Sequence, residues 1–311
     1  MNESENSGRE AAGNSNAAIA GTTPGAKPPA KSVSKRWLYA VLILAFLFVL
    51  MPYLFWQATW FGRPLDDAQM AKAFADTKHP REAQHALSQV ADRILSQNAD
   101  VRASARNWYP QVMALSSSSD EALRTTAAWV MGQDASAQDF HTRLLDMLSD
   151  PNPMVKRNAA LSLIRFHDSS GHDIICGMLK PYSMPASVAG KLEERLKPGD
   201  SVNPGTLVGR IEGSDGKTNE VRTNVPGTLA GWIVPDGAGV IAGQPIAQLD
   251  PSSDVAWEAL RALYLIGTPE DEAAIAPFAR GVPDMPPNVA QQATLTLTAI
   301  HNRAGAGPSN R

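Results

Sequence analysis

One fourteen-residue pattern, met three times, constrains this chain more than any other feature in it. DPNPMVKRNAALSL begins at Asp150 and places Val155, Ala159 and Leu163 five, nine and thirteen residues on. DPSSDVAWEALRAL repeats those offsets with Asp250, Val255, Ala259 and Leu263, and DMPPNVAQQATLTL does so with Asp284, Val289, Ala293 and Leu297. A degenerate copy runs from Ser118 through Leu123, Ala127 and Met131. Val, Ala and Leu at this spacing fall on one helical face, and the small Ala lets a neighbouring helix approach closely. The Asp opens a turn and can accept hydrogen bonds from the exposed N–H groups of a helix start. Ser118 to Asp150 and Asp250 to Asp284 are nearly equal separations, and both fall within the roughly 20–45 residues of a structural repeat, here one of two helices.

The interval from Asp150 to Asp250 is about three such periods long, yet it holds no further copy. After HDIICGMLKPY the text changes to alternating apolar residues punctuated by Pro and Gly, which predicts β-hairpins. Gly199, Val202, Gly205 and Ile211 recur at one constant offset as Gly237, Val240, Gly243 and Leu249, while Gly190 and Gly227 open the two halves. Glycines supply turns with positive φ, and the apolar residues between them point inward from short strands. Two such halves facing each other predict a flattened barrel or sandwich of roughly eight short strands. Excising the segment joins IICGMLK to DPSSDVAWEAL, which reads like the uninterrupted RLLDMLSDPNPMVKRNAAL. The β-segment is therefore expected to leave and rejoin at a tight turn between two helices, where extra chain is best tolerated.

On these residues the helical segments resemble HEAT repeats, in particular the short phycobilisome-lyase-like variety. Asp150 and Lys156 stand where that family usually has Asp and Arg. VPGTLAGWIVPDGAGVIAGQPIAQLD resembles the second half of biotinyl/lipoyl domains and the barrel-sandwich hybrid module of periplasmic membrane-fusion adaptors. The resemblance implies a mainly α fold class, an α-helical solenoid of HEAT-like repeats over 65–182 and 250–303. Into it a small all-β barrel-sandwich domain over 183–249 is inserted, and a flexible tail follows over 304–311.

The N-terminal part reads differently. Residues 1–35 are rich in Asn, Ser, Gly, Ala and Pro and predict a disordered cytoplasmic tail. Trp37 to Trp56 is an unbroken run without a charge, which predicts a transmembrane helix over 36–57 with Trp37, Tyr39, Tyr53, Trp56 and Trp60 at its ends. Lys27, Lys31, Lys35 and Arg36 before the run outnumber Arg63 and Lys72 after it. By the positive-inside rule the expectation is a single-pass inner or plasma membrane protein with its N-terminus cytoplasmic and the rest extracytoplasmic, in the periplasm.

Composition removes some function classes. A net charge of −3 and a pI near 6.1 leave no electrostatic footprint for nucleic acid. Cys176 is the single cysteine, so there is no intramolecular disulfide. In the carrier families that the β-segment resembles, a hairpin lysine within Met-Lys-Met or Asp-Lys-Ala bears lipoate or biotin. Here Lys217 sits in GSDGK instead, and the expectation is a solvated turn lysine and no cofactor. His167, Asp168, His172 and Cys176 are candidate metal ligands, with His172 and Cys176 one helical turn apart. The plainer reading has Asp168 to Ser170 capping a helix, His172 in its first turn and Cys176 as a small core hydrophobe. Trp129 and Trp257 are expected in the helical core, and Trp232 on a strand.

No phosphate-binding glycine loop, nucleophile elbow, His-Glu-x-x-His or carboxylate cluster is present, so the chain is read as no enzyme. The function expected is that of a membrane-anchored scaffold or assembly protein that binds a protein partner on the extracytoplasmic side, with no small-molecule substrate. The alternatives are an atypical adaptor subunit of an envelope transport or secretion complex, or a lipoyl/biotin carrier domain. Membrane-fusion adaptors place a long helical hairpin between the barrel halves; here only the SDGK turn does so, which argues against an ordinary pump adaptor.

Overall fold

The computed structural model of the chain describes residues 35–58, 64–76 and 78–305, and it divides into two units, 1–63 and 64–311. In the first unit α1 (Lys35–Ala58) exposes Ile43, Leu44, Phe46, Phe48 and Val49. Among the described residues no helix is long and apolar enough to cross a membrane. The single-pass span expected over 36–57 is thereby corrected. With it go the inner or plasma membrane localisation, the cytoplasmic N-terminus and the periplasmic placement of the remainder, all of which were derived from that span. The tails expected over 1–35 and 304–311 lie outside the described residues except at 35, 304 and 305.

The second unit begins with α2 (Asp67–Ala75), α3 (Pro80–Ile94), α4 (Ala99–Ala105), α5 (Tyr109–Leu115) and α6 (Glu121–Met131). It continues with α7 (Gln138–Met147), α8 (Pro153–Leu163) and α9 (His172–Gly177). Polar caps set the starts. Asp120 Oδ1 accepts from Ala122 N at 2.8 Å, and Asn152 Oδ1 from Met154 N at 2.8 Å. Asp150, the residue expected to cap, instead accepts from Asn152 N and from the Arg124 guanidinium.

Eight strands follow: β1 (Tyr182–Pro185), β2 (Gly190–Glu194), β3 (Ser201–Val202), β4 (Leu207–Glu212), β5 (Thr218–Arg222), β6 (Gly227–Trp232), β7 (Gly239–Val240) and β8 (Pro245–Asp250). The chain then returns to α10 (Ser253–Ile266), α11 (Glu272–Ala279) and α12 (Pro287–Gly305).

The apolar template positions are inside. Val155, Ala159, Leu163, Ala259, Leu263, Val289 and Ala293 are all buried. α6 packs on α8, and α10 on α12. Each pair carries the same polar tie: Ser162 Oγ donates to Ala128 O at 2.9 Å, and Thr296 Oγ1 to Leu260 O at 2.8 Å. Both hydroxyls precede the template Leu, and both carbonyls follow the template Ala.

The mainly α solenoid nevertheless gives way to a mixed architecture of helices and antiparallel sheet, without a transmembrane helix among the described residues. Helices α4, α5 and α9 are only six or seven residues long, and 3₁₀ turns interrupt at Arg106–Trp108, Ile164–Phe166 and Pro269–Asp271. The eight strands between α9 and α10 interrupt the succession of stacked helical units that a solenoid consists of.

The strands make two four-stranded antiparallel sheets, ordered β1-β8-β6-β3 and β5-β4-β2-β7. The two halves interlock. β3 of the first half pairs with β6 of the second, and β7 of the second with β2 of the first. Val202, Ile211, Val240 and Leu249 are buried between the sheets. Gly199 and Gly205 turn with φ of 96° and 86°, and their counterparts Gly237 and Gly243 with 76° and 81°. Entry and exit strands are neighbours, Tyr182 pairing with Leu249, so the chain leaves α9 and reaches α10 from adjacent points.

Candidate functional site

Two polar constellations stand out in the second unit. The first starts on α9. Its one-turn spacing puts His172 and Cys176 on the same face, with Cys176 Sγ 3.6 Å from His172 Nε2. The 3₁₀ turn Pro269–Asp271 then brings in Asp271, whose Oδ2 lies 2.9 Å from His172 Nε2 and whose Oδ1 accepts from Cys176 Sγ at 3.0 Å. Thr268 N donates to Asp271 Oδ2 at 2.8 Å, closing a capping box that fixes the carboxylate. Cys176 and Asp271 are buried, while the His172 ring is a quarter exposed.

The electrostatics follow from burial and these bonds. Burial and the Asp271 carboxylate push the Cys176 thiol up to about 12. Burial opposes ionisation of Asp271, but donation from Cys176, Thr268 and His172 outweighs it and the carboxyl is lowered. Burial likewise opposes protonation of His172, and its carboxylate neighbours Asp271 and Asp173 outweigh that and raise it.

The thiol's hydrogen bond to Asp271 works against thiolate formation. A cysteine nucleophile needs the imidazole between thiol and carboxylate, drawing the thiolate out. Here thiol, imidazole and carboxylate are mutual neighbours, and the thiol donates to Asp271 Oδ1 rather than to the ring.

The sequence candidates thus part company. His172 and Cys176 come together, joined by Asp271, which sequence reasoning missed because it lies 95 residues past Cys176 and beyond the sheets. His167 does not join; it occupies a left-handed position, φ 58°, at the end of a 3₁₀ turn. Asp168 bonds His141 Nε2 at 2.7 Å, and the cap position of α9 falls to Gly171 without a side-chain bond. Lys217 is at the β4–β5 turn, 82% exposed and 3.3 Å from Asp215. Trp129, expected in the core, is 41% exposed, whereas Trp257 and Trp232 are half-buried, the latter donating to Leu196 O.

The second constellation is a cavity of about 420 Å³ where α8 and α10 meet the edge strand β3 and the turn before β6, lined by Arg157, Asn158, Asn203, Pro226, Asp254 and Glu258. Arg157 Nη1 is buried with no hydrogen-bond partner among the described residues. Burial lowers the Arg157 guanidinium, although Tyr182 and Glu258 pull the other way. Burial, reinforced by Asp254, raises Glu258. A second groove, of about 390 Å³, lies over Arg106, Tyr109 and Asp134. There Tyr109 OH donates to Asp134 at 2.6 Å and Arg106 reaches Ser136, so its polar groups already satisfy each other.

No protein-family model matches the chain, and no curated protein matches it. Among solved structures, the chain is similar to a single-chain, multi-domain long-chain acyl-CoA carboxylase at 13% identity and a TM-score of 0.22. That likeness covers 46% of this chain and 16% of the carboxylase. At that score it carries neither fold nor activity across.

Proposed function

We propose that the chain is a non-catalytic binding platform that holds an extended segment of a partner protein in the cavity between α8, α10 and β3. The observation that carries this reading is the buried Arg157 Nη1 without an acceptor. Leaving a buried donor unmet costs about 1–3 kcal/mol, more for a charged group, so such groups are normally satisfied. An incoming carbonyl or carboxylate supplies the acceptor. The cavity also presents Glu258 and Asp254, and a peptide backbone, with donors and acceptors alternating, suits that mixture better than a simple anion does. β3 lies at the edge of its sheet, where an extended segment can add main-chain bonds.

The test places a photoreactive residue at Asn203, exposed at the rim, and a control at Lys217. Irradiation in the native host is expected to give one discrete adduct from 203, none from 217, and loss of the 203 adduct in Arg157→Met. Because Arg157 Nη1 has no partner among the described residues, Arg157→Met is expected to melt no lower than the parent, by thermal denaturation. Absence of an adduct at 203, or an adduct that Arg157→Met leaves untouched, would refute the proposal.

The position of Lys217 on an exposed turn favours one competitor, a carrier domain modified at that lysine. Intact mass of protein purified from its native source is expected to equal that of the unmodified chain, and Lys217→Ala to change stability by less than about 0.5 kcal/mol. A mass increment that disappears with Lys217→Ala would establish the carrier reading instead.

A further inference from the structure

We infer that His172 Nε2, Cys176 Sγ and an Asp271 carboxylate oxygen form a binding site for a zinc-like divalent transition-metal ion, with a fourth position open to water. The three donor atoms lie within 4.8 Å of one another. A tetrahedral ion with a sulfur at about 2.3 Å and a nitrogen at about 2.0 Å sets an S···N edge of about 3.5 Å. The Sγ···Nε2 separation is 3.6 Å. The contacts of 2.9 Å from Nε2 to Asp271 Oδ2 and of 3.0 Å from Sγ to Oδ1 are hydrogen bonds, and whichever oxygen ligates must move out by about 0.4–0.5 Å to the tetrahedral edge when the ion replaces the protons. Nitrogen, thiolate and carboxylate together suit a borderline ion rather than calcium or magnesium, which take oxygen alone.

The surroundings of the donors support this assignment independently of the distances. His172 Nδ1 lies 3.3 Å from Asp173 Oδ1, a carboxylate able to accept from Nδ1–H once Nε2 gives up its proton to bind the ion. Thr268 N fixes the Asp271 carboxylate in the same way. The quarter exposure of the His172 ring gives an ion an entry path.

Charge balances as well. The ion displaces the thiol proton to solvent, and the Nε2 proton goes to solvent or, from a neutral ring, to Nδ1. Thiolate and aspartate then carry two negative charges against two positive. Such an ion would tie α9 to the Pro269–Asp271 turn, two places separated in sequence by both sheets. It acts as a clasp at the base of the β-strands.

The test is Co²⁺ titration of the purified full chain, Co²⁺ serving as the visible probe. The expected result is one equivalent bound, with a thiolate-to-cobalt charge-transfer band, tetrahedral d–d bands, and reversal by Zn²⁺. Since Cys176 is the sole cysteine, that band reports on this site alone. Cys176→Ala is expected to abolish it, and His172→Gln and Asp271→Asn each to weaken binding at least about tenfold. Added Zn²⁺ should raise the melting temperature of the parent and leave that of Cys176→Ala unchanged. A parent chain that shows no charge-transfer band at stoichiometric Co²⁺ overturns the assignment whatever the variants do. So does a band that survives unaltered in both His172→Gln and Asp271→Asn.

Discussion

Gly190→Ala is expected to destabilise the second unit by about 3 kcal/mol or more, and Gly227→Ala by a comparable amount, measured by urea denaturation at neutral pH. A Cβ on Gly190 would collide with the backbone oxygen of Glu212 and come within 2.7 Å of Ile211 Cγ2. One on Gly227 would come within 2.5 Å of the backbone oxygen of Asp250. These are the same contact made twice. Lys191 pairs with Glu212 and Thr228 with Asp250, so each glycine starts a strand directly against the last residue of the strand beside it. The obstacle is backbone in a sheet interior, not the end of a flexible side chain, and relief requires moving a strand. Gly231→Ala serves as the control, because a Cβ there meets nothing within 4 Å. Equal melting of Gly190→Ala and Gly231→Ala would show that the close approach is not what the glycine is for.

That symmetry explains why the β-strands are legible in the sequence. A turn that needs positive φ leaves glycine as its trace, and a residue sealed between two sheets leaves valine, leucine or isoleucine. Both traces recur at one offset because the two halves solve the same geometric problem. The sequence does not say that the halves exchange their short strands, since β3 on β6 and β3 on β2 bury the same Val202. The helical template is visible for the same reason, as an apolar stripe. The hydroxyls that tie the pairs, Ser162 and Thr296, leave no such signal because Ser and Thr within a helix usually bond their own backbone. Length and the absence of charge suggest a bilayer span for 37–56, but among the described residues no helix is long and apolar enough to be one.

The two candidate sites are legible to different degrees, and for a physical reason. One-turn spacing along a helix is a local property, so His172 and Cys176 can be paired from the text. Asp271 and Glu258 reach their places only because β1 and β8 are neighbours, which brings the segments before and after the sheets side by side. Arg157 looks in the sequence like any solvated helix cation. That its Nη1 has no acceptor among the described residues is a property of the packed junction with β3 and α10, which no spacing rule encodes.

Arg124→Met is expected to destabilise the second unit by about 3 kcal/mol, and Asp150→Asn to reveal the pH range in which the pair acts. Arg124 Nε donates to Asp150 Oδ2 at 2.8 Å and its Nη2 to Oδ1 at 3.0 Å, a two-pronged bond from α6 to the turn before α8. The side chains are only 14% and 10% exposed, so deletion of the cation strands a desolvated carboxylate. The guanidinium also donates to Ser118 O and Ser119 O, which lose their donor with it. Burial disfavours the charged form of Asp150, but the bonds from Arg124 and Asn152 outweigh burial and hold its pKa below the ordinary 3.8. A carboxyl lowered on folding contributes its stability fully above its unfolded value and loses it as pH falls through the folded one. The gap between parent and Asp150→Asn should therefore hold level from neutral pH down to about pH 5, then close progressively below about pH 4 as the parent's carboxyl takes up its proton. Urea midpoints of both proteins at pH 7, 5, 4 and 3 measure it, and taking the difference cancels the titration of every other carboxylate. A gap that stays constant to pH 3 would mean that Asp150 contributes by shape and hydrogen bonding alone. A gap that widens as pH falls from 7 to 5 would mean that its carboxyl is raised, with burial outweighing the arginine.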